Sequence, residues 1–486
     1  MAELALERLP ADHHRAREGI ATLKNEIEFG REAIRKLTTQ RACHFGNLPV
    51  EIATTIFSMI LEEDHLLVLT LAQVCKNWRA TVIGTPAFWR TLVLGARRPK
   101  QKVKLWRKRA GDRFHELALL DSFTDHYSAL AELRDVPLET LRMFRCEGHP
   151  LEPLLASIPN LSAGVLASLD TLVLQPPSPE GFPLCAPETL EIRWRMLRLL
   201  NSLPSNLLSI AKRLTRLTSL SLEKCPVHSR WAELLLLLHH NPALVRLEMS
   251  DLDSPPPPSP LIDDDGPPLI IALPELHFIK ITNTKSLANR LLPRFATPSL
   301  KMLHIASHPE RLDECMSWLA CGPAATLTTL SLQRLSVKAA LLLEVLKAAK
   351  ALESLQITHL SGVALPVLEL LATPIGEKKP YRQGDKASPV HCPALQHLDL
   401  SHCPDVGASL LIALVKLRHP ETQTALSDVV RTNDESGTTP TLVRPLESLI
   451  IDGCPNVDAD VLPWLRAAVP SLSCVYLAKQ NAKWRR

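Results

Sequence analysis

The sequence predicts an α/β protein. A short all-helical unit stands near the N-terminus, followed by a solenoid whose curved parallel sheet is lined on its outer side by helices. Two observations predict this. Residues 47–94 carry apolar side chains at helical spacing, too many for short helices to bury among themselves. From residue 114 onward one six-residue pattern recurs: an apolar residue, two variable positions, leucine, one variable position and a second apolar residue.

The N-terminal arm, residues 1–46, opens on MAELALERLPADHHRARE, charged throughout and without an apolar core, so no secretory signal is expected. Between about 8 and 43 the spacing predicts one helix. Ile20, Leu23, Ile27, Ile34 and Leu37 fall at heptad positions, with Gly30 interrupting the run. Three heptads are marginal for a coiled coil, so a packed or solvated helix is expected ahead of self-association.

The stretch 47–94 reads as three short helices. Asn47 can cap the first, with Pro49 in its opening turn, where a missing N–H costs nothing. Ile52, Ile56 and Ile60 share one face, with Phe57 and Met59 around it. Leu67, Leu71, Val74 and Trp78 form a second stripe, and Thr85-Pro86 starts a third segment carrying Phe88 and Trp89. Such a composition leaves an apolar face open for a partner.

Leu48-Pro49-Val50-Glu51-Ile52, Ile56-Phe57, Val74-Cys75-Lys76-Asn77-Trp78-Arg79 and Phe88-Trp89 follow one another as in an F-box, and this segment resembles that family. A helix leading directly into LPVEI is similar to the start of many fungal, especially basidiomycete, F-box proteins. The resemblance implies a three-helix fold that docks on the Skp adaptor of a Skp–cullin–F-box ubiquitin ligase. Leu48, Pro49, Ile52, Ile56, Leu71, Val74, Cys75 and Trp78 are the expected adaptor-binding residues.

Residues 95–480 are assigned to the solenoid and 481–486 to a frayed tail. The basic run RRPKQKVKLWRKR (97–109) is punctuated by Val103 and Trp106 at helical spacing, which predicts a helix with a solvated basic face. The six-residue pattern is clear in LDTLVL (169–174), LTSLSL (217–222), LTTLSL (327–332), LESLQI (352–357) and LQHLDL (395–400). It is also read in LETLRM (138–143) and LSCVYL (472–477), and more weakly in FHELAL (114–119) and PETLEI (187–192). Most copies start about 24 to 32 residues apart, the period of leucine-rich repeats. The alternation of leucines calls for a short strand. The segments between copies, such as WAELLLLLHH (231–240), VKAALLLEVLKAA (337–349) and VGASLLIALVKL (406–417), call for helices. LDLSHCPDVGASLLIAL and LESLIIDGCPNVDADVLPWL resemble the cysteine-containing subtype of these repeats.

Three insertions, 253–268, 373–390 and 421–440, leave the pattern and read as loops; the first contains a PPPPSP stretch. The composition is 46% hydrophobic but only 4% aromatic, as suits a solenoid filling equivalent slots with leucine. A net charge of +4 over 486 residues gives no argument for nucleic acid or acidic lipid, and no apolar run is long enough to span a bilayer. The eleven cysteines have no metal-ligand spacing. Cys225, Cys403 and Cys454 recur at one repeat position and read as small buried residues in a reducing compartment, cytoplasm or nucleus.

No phosphate-binding glycine loop, nucleophile–base pair or metal cluster is legible, so neither enzymatic activity nor a cofactor is expected. What the repeats offer is a surface. The variable strand positions point to the concave side. Glu248, Lys280, Ser331, Gln356, His397 and Asp399 are the candidate target-binding residues, with Thr140, Arg142 and Phe144 assigned to the same face in an early repeat. The expected function is that of a substrate receptor, with the adaptor on the F-box and an unknown target protein on the repeats. The alternative is a scaffold or transcription-associated adaptor that keeps the F-box as a fold element only.

Overall fold

The computed structural model describes residues 22, 24–32, 48–121, 126–177, 191–227, 230–253, 270–374, 390–419 and 443–475. The loop 421–440, nearly all of 253–268 and 373–390, the tail, Asn47 and most of the N-terminal arm lie outside these residues. Within the arm, residues 24–32 are helical, with Ile27 and Phe29 exposed. The chain divides into two compact units, Met1–Thr91 with Leu105–Asp112, and Leu92–Lys104 with Arg113–Arg486.

The first unit is helical: α1 (Val50–Glu63), α2 (Leu67–Val74) and α3 (Lys76–Gly84), followed by a 3-10 turn at Pro86–Trp89. Phe57 is its centre. It is fully buried, meets Trp78 edge-on at 4.8 Å between ring centroids, and meets Phe88 at 6.3 Å. Ala53, four residues from Phe57, completes the buried stripe of α1, so the inward face is Ala53–Phe57 rather than the isoleucine row. The expected second stripe is split. α2 ends at Val74, and Cys75, in extended conformation, caps α3 by accepting the Trp78 N–H on its sulfur. Thr85 does not cap the next turn; its hydroxyl donates to the Thr81 carbonyl. The Trp89 indole donates to the Val82 carbonyl at 2.8 Å and packs edge-on against Trp106.

The second unit is a parallel sheet, fourteen-stranded among the described residues, with neighbours in chain order apart from two short strands. Its strands are β1 (Thr91–Leu94), β2 (Glu116–Leu119), β3 (Met143–Glu147), β4 (Thr171–Gln175), β5 (Met196–Leu200), β6 (Ser219–Glu223) and β7 (Arg246–Ser250). β8 (Ile271–Ala272) pairs with β10 (Phe295–Ala296) as a separate parallel pair. The main sheet continues through β9 (Phe278–Thr282), β11 (Met302–Ala306), β12 (Thr329–Gln333), β13 (Ser354–Thr358), β14 (His397–Asp399), β15 (Ser448–Ile450) and β16 (Ser471–Ser473). Parallel strands need crossovers, and helices supply them. Trp231–His239, Ala339–Ala348 and Ala408–Arg418 lie where the apolar periodicity predicts. The basic run forms α4 (Pro99–Ala110), with Val103 and Trp106 buried and Lys104 paired to Glu132 at 3.4 Å.

Register fixes which residues are equivalent. Leu220, Leu247, Ile279, Leu303, Leu330, Leu355, Leu398 and Leu449 form one buried row. Burial alternates along strands such as β6 and β9, so the first, third and fifth positions face the open side of the sheet, although the third position is itself buried in β4 and β12. This corrects three frames. Phe144 pairs with Leu172, so the repeat is LRMFRC (141–146) rather than LETLRM. Phe144 is fully buried, and Met143, Arg145 and Glu147 take the open side in place of Thr140, Arg142 and Phe144. WRMLRL (194–199) replaces PETLEI, with Trp194 buried and its indole donating to the Leu166 carbonyl. Leu449 pairs with Leu472, so the last copy is VPSLSC (469–474) rather than LSCVYL. In each case a second set of apolar residues satisfies the same pattern three or more positions away, and burial of the larger or better-placed set decides. WRTLVL (89–94) is a further copy, so the first strand, β1, lies inside the stretch 47–94 that the sequence reads as helical.

Candidate functional site: exposed apolar helices and the open side of the sheet

On the helical unit, the buried Ala53–Phe57 stripe turns the rest of α1 outward. Ile52 is 49% exposed, and Met59, seven residues on and therefore on the same helix face, is 65% exposed. Val50 at the start of α1 is also exposed, as are Leu66, Leu69 and Val74 along the next segment. Of the residues expected to bind the adaptor, Pro49, Ile52, Val74 and Cys75 are exposed, and Leu48, Ile56 and Trp78 are half-buried. Leu71 is buried inside the unit and is corrected to a core residue, since α2 turns it inward with Val68. Val50, Met59, Leu66 and Leu69 are exposed apolar residues that the sequence reading did not select. Met59 falls off the Ala53–Phe57 stripe of α1, Leu66 and Leu69 fall off the Val68–Leu71 stripe of α2, and Val50 stands in the first turn of α1 ahead of its buried residues.

On the sheet, all six candidate target-binding residues occupy open-side positions. The structure separates them into two groups. The Glu248 carboxylate is held by Arg246, whose Nε donates at 2.7 Å, and the Arg246 guanidinium also lies 3.9 Å from the Phe278 ring centroid. Lys280, between Glu248 and His304 in register, is exposed. The other side chains are joined across strands. The Ser331 hydroxyl lies 2.8 Å from His304 Nδ1 and donates to Gln356 Oε1. Gln333 Nε2 donates to that same oxygen, and Gln356 Nε2 donates to Asp399 Oδ2 at 2.8 Å. Asp399 Oδ1 accepts from the Ser401 amide and hydroxyl. Burial and the nearby Lys280 ammonium hold the His304 imidazole below its ordinary range. Ser331 is therefore a buried link in a polar ladder rather than a free contact residue. His397 is exposed at the edge of β14.

Just past the strands, the chain turns through the left-handed region in repeat after repeat. Gly148, Asn201, Lys224, Asp251, Asn283, Ser307, Arg334, His359, His402 and Gly453 all have φ between 48° and 69°. Each donates its amide to a carbonyl of the following repeat, as Lys224 does to Ser250, Arg334 to Thr358 and His402 to Asp452. The next residue in the row turns back into the core. Cys225, Cys403 and Cys454 stand there, their thiols donating to the carbonyls of Leu199, Ile357 and Leu400 in the preceding repeats. Burial pushes the Cys225 thiol up to about 12 and the Cys403 thiol to about 11. Cys392 is likewise buried, beside Arg418, whose guanidinium donates to the carbonyls of His391, Cys392 and Leu395 and so ties down the segment entering β14.

Among the described residues no group of His, Cys, Asp and Glu could hold a metal ion, and no helix is long and apolar enough to cross a membrane. Residues 45–95 match the F-box-like family model. No curated protein sequence matches the chain. Among solved structures it is similar to an internalin from Listeria monocytogenes, at 15% identity and a TM-score of 0.34, over 72% of this chain and 92% of that one.

Proposed function

We propose that this chain, with its F-box-like domain at residues 45–95, is the substrate receptor of a Skp–cullin–F-box ubiquitin ligase. One observation carries the reading. The stretch that matches the family model exposes Val50, Ile52, Met59, Leu66, Leu69 and Val74, between 40% and 65% of each. Apolar side chains concentrated on a unit this small are what a partner would bury, and central apolar anchors carry most of the energy of such interfaces. The resemblance to the F-box names that partner as the Skp adaptor, with the cullin subunits reached through it. The repeats would hold the target on the open side of the sheet, raising its effective concentration beside subunits that do the chemistry. In this reading the chain is itself non-catalytic, needs no cofactor and works in the cytoplasm or nucleus. The helix that the sequence leads one to expect ahead of LPVEI supports a fungal-type member.

The test is affinity capture of the full chain from cells, read by mass spectrometry, with the double variant Ile52→Asp and Val74→Asp alongside. Both positions are exposed, so the fold is kept while charge replaces apolar contact. The expected result is co-capture of Skp adaptor and cullin by the wild type and loss of both from the variant. Equal recovery with the two chains overturns the proposal. For the repeats, Lys280→Glu with Met302→Asp and His397→Glu changes exposed open-side positions without cutting the polar ladder. Target ubiquitination in a reconstituted ligase should fall while adaptor capture persists.

A further inference from the structure

The row of left-handed turns carries Arg334, His359 and His402 on three successive repeats. The His359 and His402 rings are stacked, with centroids 4.2 Å apart and planes inclined by 29°. The stack is held from the backbone, because the His359 amide donates to Ser401 and the His402 amide to Asp452. It also depends on Gly453, the next residue of the row. A Cβ at that position would lie 2.4 Å from His402 Nδ1.

Arg334 and His359 are exposed and His402 is half-buried. Among the described residues, neither imidazole has a hydrogen-bond partner and the Arg334 guanidinium has no ion pair. Each carboxylate around the row accepts at least one hydrogen bond from an uncharged donor. Asp399, on β14, accepts from Gln356 and Ser401. Asp452, after β15, accepts from the Ser473 hydroxyl and the Val475 amide. Asp405, beyond His402, accepts from the Leu365 amide. None of these carboxylates forms an ion pair with the row among the described residues, although the Asp399 charge acts on His359.

We propose that Arg334, His359 and His402 form a proton-linked docking strip for the carboxylate side chains of an acidic, extended peptide segment of the target. The proposal rests on the reading that the sheet holds the target, and it names the chemistry of what is held. Neighbouring strands stand about 4.8 Å apart, so a peptide laid across them meets one strip residue per repeat. One guanidinium and two imidazoles suit singly charged carboxylates. A phosphate would call for clustered arginine forks. Burial, the neighbouring His402 ring and Arg334 hold the His359 imidazole below its usual range, with Asp399 opposing. In the empty strip His359 is thus mostly neutral at neutral pH. A bound carboxylate favours the protonated His359 ring, so binding takes up protons and tightens as the pH falls.

The test uses the full chain and a fluorescein-labelled peptide of glutamates spaced by glycine and serine, with the glutamine counterpart as control. Anisotropy is read at about pH 6 and about pH 8, at one ionic strength of about 0.1 M. The glutamate peptide should bind about tenfold more tightly at the lower pH and the glutamine peptide should not bind. The double variant His359→Asn with His402→Asn keeps residues that tolerate a left-handed backbone, and it should flatten the pH dependence. Arg334→Asn should weaken binding at both pH values. Gly453→Ala, which leaves all three side chains but displaces the His402 ring, should weaken binding at the lower pH. The proposal is overturned if the glutamate peptide fails to bind, or if the double variant keeps the wild-type pH dependence. Such a failure leaves the receptor reading standing as long as adaptor capture and the Lys280, Met302 and His397 effects hold. Loss of those with peptide binding intact overturns the receptor reading alone.

Discussion

The Ser331 hydroxyl donates to Gln356 Oε1 at 2.7 Å, joining side chains 25 residues apart in sequence, and the same carboxamide reaches Asp399 on the next strand. Gln356 is thus a shared link between repeats. Replacing it with alanine takes one acceptor from the buried Ser331 hydroxyl, which keeps His304 and Gln333 beside it, and strands the Gln333 amide and one Asp399 oxygen. Gln356→Ala should lower stability by about 1–3 kcal/mol, the cost of stranding such groups. Leu398→Ala, which empties a fully buried slot of the leucine row, should cost about 2–5 kcal/mol. Urea unfolding followed by circular dichroism checks both. An unchanged midpoint for Gln356→Ala would mean that solvent replaces the ladder without loss.

On the helical unit, fold and the proposed partner binding can be tested separately. Leu71→Ala removes a buried side chain and should lower the unfolding temperature of that unit, with a cost of about 2–5 kcal/mol. Ile52→Asp, at an exposed position, should leave the melt within about 0.5 kcal/mol of wild type while removing adaptor capture. Pairing thermal melts with pull-downs for the two variants checks the assignment. It fails if Ile52→Asp unfolds the unit.

Thiol reactivity should sort by position. Cys75 and Cys321 are exposed, whereas Cys146, Cys225, Cys315, Cys392, Cys403 and Cys454 are buried. Burial pushes the Cys146 and Cys392 thiols up to about 12, and raises those of Cys315 and Cys454. At neutral pH a maleimide should label Cys75 and Cys321 in the native chain and the six buried thiols only after unfolding. Peptide mapping by mass spectrometry reads this. Native labelling of Cys225 at the rate of Cys321 would contradict the burial of the row.

Acid should loosen the sheet through its histidines. His304, His391 and His359 are all held below the ordinary histidine range, each first by burial, then by neighbouring Lys280, by Lys347, and by His402 with Arg334. Above about pH 6.5 the folded and unfolded chains both keep these rings neutral, and they contribute nothing to the pH dependence. As the pH falls below that value the unfolded chain takes up protons first, so native stability declines until the lower folded values are passed. The unfolding midpoint at fixed ionic strength should therefore drop between about pH 7 and pH 5, and His304→Gln should make the drop shallower. A midpoint that holds level through this window in the wild type would refute the expectation.

Much of the architecture was legible in the sequence because leucine spacing has few physical meanings. LTSLSL, LTTLSL, LESLQI and LQHLDL lie on β6, β12, β13 and β14, and the intervening helices fall where their apolar stripes predict. The frame slipped where two apolar sets overlapped. Leu138 and Leu141 both enter the core, and only the burial of Phe144 shows that β3 starts three residues later. Two features could not be read from the pattern. The ladder from His304 to Asp399 depends on cross-strand register, which sets which open-side residues become neighbours. The stacked pair of His359 and His402 depends on backbone torsion at a position where the sequence shows only unrelated residue types. On the helical unit, the exposed face was expected, but apolar spacing alone did not say which stripe of α1 turns inward.

The left-handed row has a consequence for how such a chain can acquire new partners. Its geometry asks for a residue that is not β-branched, and among Gly148, Asn201, Lys224, Asp251, Asn283, Ser307, Arg334, His359, His402 and Gly453 there is none. Beyond that, except where a neighbour crowds the site as at Gly148 and Gly453, packing places little demand on the side chain. Acid, base, amide and hydroxyl all stand on the same turn, each anchored by the same backbone hydrogen bond to the following repeat. Duplication of a repeat would therefore copy the scaffold together with one position open to divergence. Specificity could be rewritten along this edge, one residue per repeat, with no change to the leucines beneath it.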